Sequence, residues 1–154
     1  TGGESGSTTG GSMWDCSSAT VCEGDKNILR GSDMDSMAEC SSVTGTVLVN
    51  PIMGAITSTE GMGCLTEVGE DFNFSDIDML TNLDGITALT IIGGDLKIWG
   101  NDTLSDISGL SALTTVTGDV EIESNDMLCQ SVIDAFIAGL SIGGSVDTED
   151  NAGC

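Results

Sequence analysis

The sequence predicts an all-β-dominated solenoid of about five stacked rungs, each 24 to 26 residues long. Three observations predict it. The phrase "GDLKIWGND" at 94–102 returns as "GDVEIESND" at 118–126, 24 residues later, and recurrence at a fixed period of roughly 20 to 50 residues marks repeat architectures. Residues two apart recur as Val47/Val49, Phe72/Phe74, Leu96/Ile98, Val120/Ile122 and Val146/Thr148, in steps of 25, 24, 24 and 26. Between these pairs, apolar residues come three apart: Leu80, Leu83, Ile86, Leu89, Ile92, and again Leu104, Ile107, Leu110, Leu113, Val116.

Each element follows from those spacings. Residues 1–15 begin "TGGESGSTTGGS", a polar stretch that reads as a linker or stalk; residues 16–154 form the solenoid. "DSMAEC" reads as the end of a short capping helix, and Cys40 stands where Leu65, Leu89 and Leu113 stand in later rungs, so it belongs to the first coil. Apolar residues two apart point to one face of a short strand while those between point outward. Spacing of three suits a tight arc of turns or 3₁₀ pieces that keeps returning a side chain inward. One rung cannot bury these residues alone, so rungs must stack as parallel strands about 4.8 Å apart. Gly45, Gly69, Gly94, Gly118 and Gly144 precede the strands, where a corner needs either positive φ or close backbone approach. Asn101, Asn125 and Asn151 share one position of three rungs and predict a hydrogen-bonded ladder. Before the last rung, "SVIDAFIAGL" predicts one short helix in place of the arc.

Six cysteines in a small, Gly-rich chain fit a disulfide framework in an oxidising compartment. Cys22 is expected to pair with Cys40 at one end of the stack, and Cys129 with Cys154 at the other. Cys16 and Cys64 remain, to bond to each other or to a second molecule. No C-x-x-C pair occurs, which counts against a zinc ribbon or redox motif. A start at Thr1 rather than Met predicts an exported chain, extracellular or at the cell surface, whose N-terminal segment was removed. No apolar run is long enough to span a bilayer.

With 3 Lys+Arg against 25 Asp+Glu, the net charge is -22. Nucleic acid and anionic membranes are excluded as partners, since phosphate binding needs the missing cations. There is no His and no Tyr, and the acids are spread over turns, which predicts a non-enzymatic protein without a cofactor. Calcium is the one metal weighed: Asp76, Asp78, Asp102, Asp126 and Asp150 lie in turns after the strands, and oxygen-rich turns on adjacent rungs can supply ligands. The competing reading is solvated turns in which Asp satisfies local backbone donors. Trp99 falls in an outward row between Ser75 and Glu123, with Lys97 beside Glu121. An outward Trp anchors a glycan or protein, or is covered by its own chain's N-terminal segment. Trp14, the second tryptophan, is the other interaction candidate. The sequons at Asn73 and Asn101 matter only in a glycosylating host.

The stretch from Cys40 to Gly45, the phrase "GDLKIWGNDTLSDISGLSALTTVTGDVEIESND" and the terminal "EDNAGC" resemble the receptor L-domain repeat, known from insulin and epidermal growth factor receptor ectodomains, and resemble more closely its shorter relatives in bacterial secreted and surface proteins. The likeness covers about residues 20 to 154 and is most specific in 69–128. It implies a right-handed β-helix-like solenoid related to leucine-rich repeats, and a non-enzymatic extracellular module. The expected role is therefore structural: a subunit of a self-assembling surface or secreted filament whose partners are copies of itself, the tail contacting a neighbouring subunit by strand addition. The alternative is a monomeric surface-displayed module for binding a glycan or protein.

Overall fold

The computed structural model describes residues 15–52 and 55–154. Trp14 and nearly all of the expected N-terminal tail lie outside the described residues. Twelve short strands build two parallel six-stranded sheets. One holds β1 (Thr20–Cys22), β3 (Cys40–Val43), β5 (Glu67–Val68), β7 (Ile91–Ile92), β9 (Thr115–Val116) and β11 (Ser141–Ile142) in that order. The other holds β2 (Lys26–Ile28), β4 (Val47–Val49), β6 (Phe72–Ser75), β8 (Leu96–Trp99), β10 (Val120–Glu123) and β12 (Val146–Asp147). Each rung gives one strand to each sheet, and the stack is a solenoid.

The rungs number six, one more than the sequence spacing predicts. Lys26 pairs with Val47 in register, so β1 and β2 form an extra rung at the start. A step of 21 residues and a lysine in the otherwise apolar column conceal it in the sequence. From Val47 onward the predicted register holds: Val47, Phe72, Leu96, Val120 and Val146 are successive partners. The last strand ends at Asp147, one residue short of the expected Val146/Thr148 pair.

The returns are arcs, as spacing of three predicts. The N–H groups of Leu80, Ile86, Leu89, Leu104, Leu110 and Leu113 each donate to the carbonyl three residues back. Short 3₁₀ helices occupy Asp35–Glu39, Glu60–Met62 and Ser108–Leu110. Two returns are helical: α1 (Gly31–Met34) lies before β3, where "DSMAEC" predicts a cap, and α2 (Gln130–Ala138) replaces the last arc. Leu80, Leu83, Ile86, Leu89, Ile92 and their counterparts 24 residues on are buried. Each such side chain contributes about 1.5 to 3 kcal/mol relative to exposure.

Three polar columns lock rung to rung. In the first, Asn101 Oδ1 accepts from the Ile77 N–H at 2.9 Å, Asn125 Oδ1 from the Asn101 N–H at 3.1 Å, and Asn151 Oδ1 from the Asn125 N–H at 3.1 Å. The predicted asparagine ladder is present. The residue before each donating or accepting position, Asp76, Gly100, Ser124 or Asp150, has φ between 55° and 66°, so the corner has one left-handed geometry throughout. In the second, Asp71 Oδ1 accepts from the Asp95 N–H, Asp95 Oδ1 from the Asp119 N–H and Asp119 Oδ1 from the Ser145 N–H, at 2.7 to 2.8 Å. In the third, the Thr66, Thr90 and Thr114 hydroxyls donate to the carbonyls of Ser41, Thr66 and Thr90 one rung earlier.

The second column explains Gly94, Gly118 and Gly144, whereas Gly69 lies against the Thr44 carbonyl instead. Positive φ is not the reason: among glycines of the described residues only Gly24 and Gly100 have it. Close approach is, since a Cβ on Gly94 or Gly118 would overlap the carboxylate of Asp71 or Asp95.

Disulfides Cys22–Cys40 and Cys129–Cys154 join the expected partners. Cys16 is joined to Cys64 within the chain, which resolves the open pairing and removes Cys16 as a bond between subunits. Three disulfides mark a chain that matures in an oxidising compartment. No helix among the described residues is long and apolar enough to cross a membrane.

Candidate functional site

The outward face of the second sheet carries Lys97 and Trp99, two of the three predicted interaction residues. Pleating sends Asn73, Lys97, Glu121 and Asp147 outward in one row and Ser75, Trp99 and Glu123 in the next. Lys97 Nζ lies 3.1 Å from Glu121 Oε1. Trp99 is 41% exposed, so the described residues do not cover it. Toward the C-terminal end the face is acidic. Burial raises the Glu123 carboxyl above its ordinary value, and the charges of Asp147 and Glu121, an Asp147 hydrogen bond and Glu149 add to the rise.

The five aspartates weighed for calcium are brought to one side of the stack but not into one site. Asp76, Asp78, Asp102, Asp126 and Asp150 are all exposed. Asp76 and Asp150 take the left-handed corner position, and Asp76 Oδ2 accepts weakly from Asn50 Nδ2 at 3.4 Å. Among the described residues no group of three or more acidic, Cys or His side chains is placed to hold a metal.

Two features escaped the sequence reading. The aspartate column was legible in the repeated "GD" of both quoted phrases, but its role emerges only when each carboxylate is seen capping the next rung. The other is an apolar groove of about 500 Å³ between the arc at 107–113 and α2, lined by Ile107, Leu110, Leu113, Val132, Ala135 and Phe136. Its signal was the replacement of an arc by "SVIDAFIAGL": a straight helix cannot follow the arc beneath it. At the rim, Asp106 is held below the usual carboxylate range by the N–H and hydroxyl of Ser108.

The two ends of the stack differ. Val146 is 46% exposed, whereas Val47, Phe72, Leu96 and Val120 in the same column are at most 1% exposed. At the opposite end that column finishes in Lys26. No family model matches the chain, and no curated protein is significantly similar to it.

Proposed function

We propose that the chain is a non-enzymatic structural protein of the cell surface or exterior, a subunit of a self-assembling filament in which each N-terminal segment contacts a neighbouring subunit. The observation that supports it most is the open C-terminal end, where Val146 and the edge strands β11 and β12 leave the core column and the sheet hydrogen bonds without a following rung among the described residues. Such an edge is a template for another strand. The other end does not fit it directly: stacking β2 on β12 would set the Lys26 ammonium over Val146, and an inward charge on an edge strand opposes pairing. The segment preceding Asp15 is therefore the element assigned to the contact, by strand addition. Export, and kinship with the receptor L-domain repeat, belong to the same proposal; the three disulfides support the first and the stacked rungs agree with the second. Deleting residues 1–14 should abolish polymers while circular dichroism and melting stay those of the intact stack. Polymers that survive the deletion would overturn the tail's role.

A second reading is favoured by Trp99, a 41% exposed aromatic beside the Lys97–Glu121 pair. This is a monomeric binding module that stacks a glycan or protein side chain on the indole. Under it, Trp99→Ala removes ligand binding in a glycan array and leaves assembly untouched.

A further inference from the structure

The groove beside α2 exists because one return breaks the pattern. The arcs at 76–90 and 100–114 stack so closely that Gly109 lies against the Leu83 carbonyl. In the following return Ile133 of α2 enters the core, while Val132, Ala135 and Phe136 face the groove over Leu110 and Leu113. Val132 remains 39% exposed. The lining is apolar apart from Ser108 and Ser111, and the charged group among the lining residues is Asp106. Such a groove admits one or two bulky apolar side chains and repels a carboxylate.

We infer that this groove is the socket for Met13 and Trp14 of a neighbouring copy, an inference that rests on the proposed assembly. In the fourteen residues before Asp15, Met13 and Trp14 are the only large apolar side chains. They precede Cys16, which the disulfide fixes to Cys64 in the return between β4 and β5. That return is the second of five and the groove lies between the fourth and fifth, all on the same flank of the solenoid. When two copies align head to tail, the N-terminal flank of one follows the C-terminal flank of the other, and Met13–Trp14 arrives at the groove. Tryptophan is also the residue that most often anchors an interface from within a desolvated pocket.

The test uses the full chain with Trp99→Phe, which leaves Trp14 as the sole tryptophan, and follows its emission against protein concentration alongside sedimentation. The expected result is a blue shift that develops with polymers. Val132→Asp or Ala135→Asp, both at exposed helix positions, should weaken assembly and the shift together by about tenfold or more, with the melting temperature little changed. Polymers in which Trp14 stays water-exposed would overturn the socket and leave the filament standing. A blue shift independent of concentration would show a chain filling its own groove, which also overturns the inference. A synthetic peptide of residues 1–14 added to the full chain carrying Trp14→Ala and Trp99→Phe separates the last case. Peptide binding that Val132→Asp abolishes, when the chain that retains Trp14 forms no polymers at any concentration, would uphold the socket and sink the filament; no binding, and no polymers of the chain that retains Trp14, would sink both.

Discussion

The backbone N–H and the side-chain Nδ2 of Asn101 both donate to Asn125 Oδ1, at 3.1 and 3.2 Å, with both residues fully buried. Asn125 Nδ2 in turn donates to the Ile98 and Glu123 carbonyls and to Asn151 Oδ1, each at 3.0 Å. One amide thus satisfies groups on three rungs. Asn125→Ala strands the Asn101 backbone N–H where water does not reach, while Asn101 Nδ2 keeps the Phe74 carbonyl as its acceptor. At about 1 to 3 kcal/mol per buried unsatisfied group, the loss should be about 1 to 3 kcal/mol in urea unfolding. A loss below about 1 kcal/mol would contradict the ladder.

Rung spacing depends on missing side chains. At Gly109 an added Cβ would overlap the Leu83 carbonyl, whereas at Gly139 the nearest atom, the Phe136 carbonyl oxygen, is 3.7 Å away. Gly109→Ala should destabilise by several times the cost of Gly139→Ala, which should be near neutral. Paired thermal melts check this, and equal effects would refute the close stacking.

The three disulfides close loops of different lengths, with separations of 18, 25 and 48 residues. On chain-entropy grounds, removing one costs from about 3 kcal/mol for Cys22–Cys40 to about 4 kcal/mol for Cys16–Cys64. Double serine variants measured by urea unfolding should follow that order. Since each bond is internal to the chain, none of the three removals should release subunits from a polymer by cutting a covalent link, and denaturing gels without reductant should show monomer.

Glu123 carries a charge that the folded state disfavours, for burial and neighbouring carboxylates raise its pKa. The penalty is present above the folded pKa and disappears as pH falls below the unfolded one. Glu123→Gln should therefore raise the melting temperature at neutral pH, less so in high salt, and have no effect in acid below the ordinary carboxylate range. Asp106 has the opposite sign: its lowered pKa contributes stability at neutral pH that is lost as pH falls through the folded value. Asp106→Asn should lower the melting temperature at neutral pH and converge with the parent in acid. A gain from Asp106→Asn at neutral pH would contradict the Ser108 contacts.

The rungs were legible from Phe72 and Phe74 to Val120 and Ile122 because a period-2 pair and a period-3 run recur at 24 residues, and no other chain path buries both. The asparagine ladder was legible for the same reason. The first rung was not: Lys26 holds an end position where one side is open to water, so the apolar rule lapses there. The groove beside α2 was also hidden, since it depends on how far a helix stands off an arc, which spacing does not encode. Trp99's outward direction followed from pleating, but its exposure did not, since cover by the chain's own N-terminal segment was equally open, and whether a partner uses it depends on chemistry outside the chain.

Electron microscopy of the chain, disulfides intact, at physiological ionic strength separates an assembling subunit from a monomer. The proposed assembly gives regular unbranched filaments with an axial repeat near that of six rungs, about 29 Å at about 4.8 Å per rung, or slightly longer where an added strand intervenes. Well-dispersed single particles at the same concentration and salt would contradict it, and the Trp99 face would then be the surface to pursue.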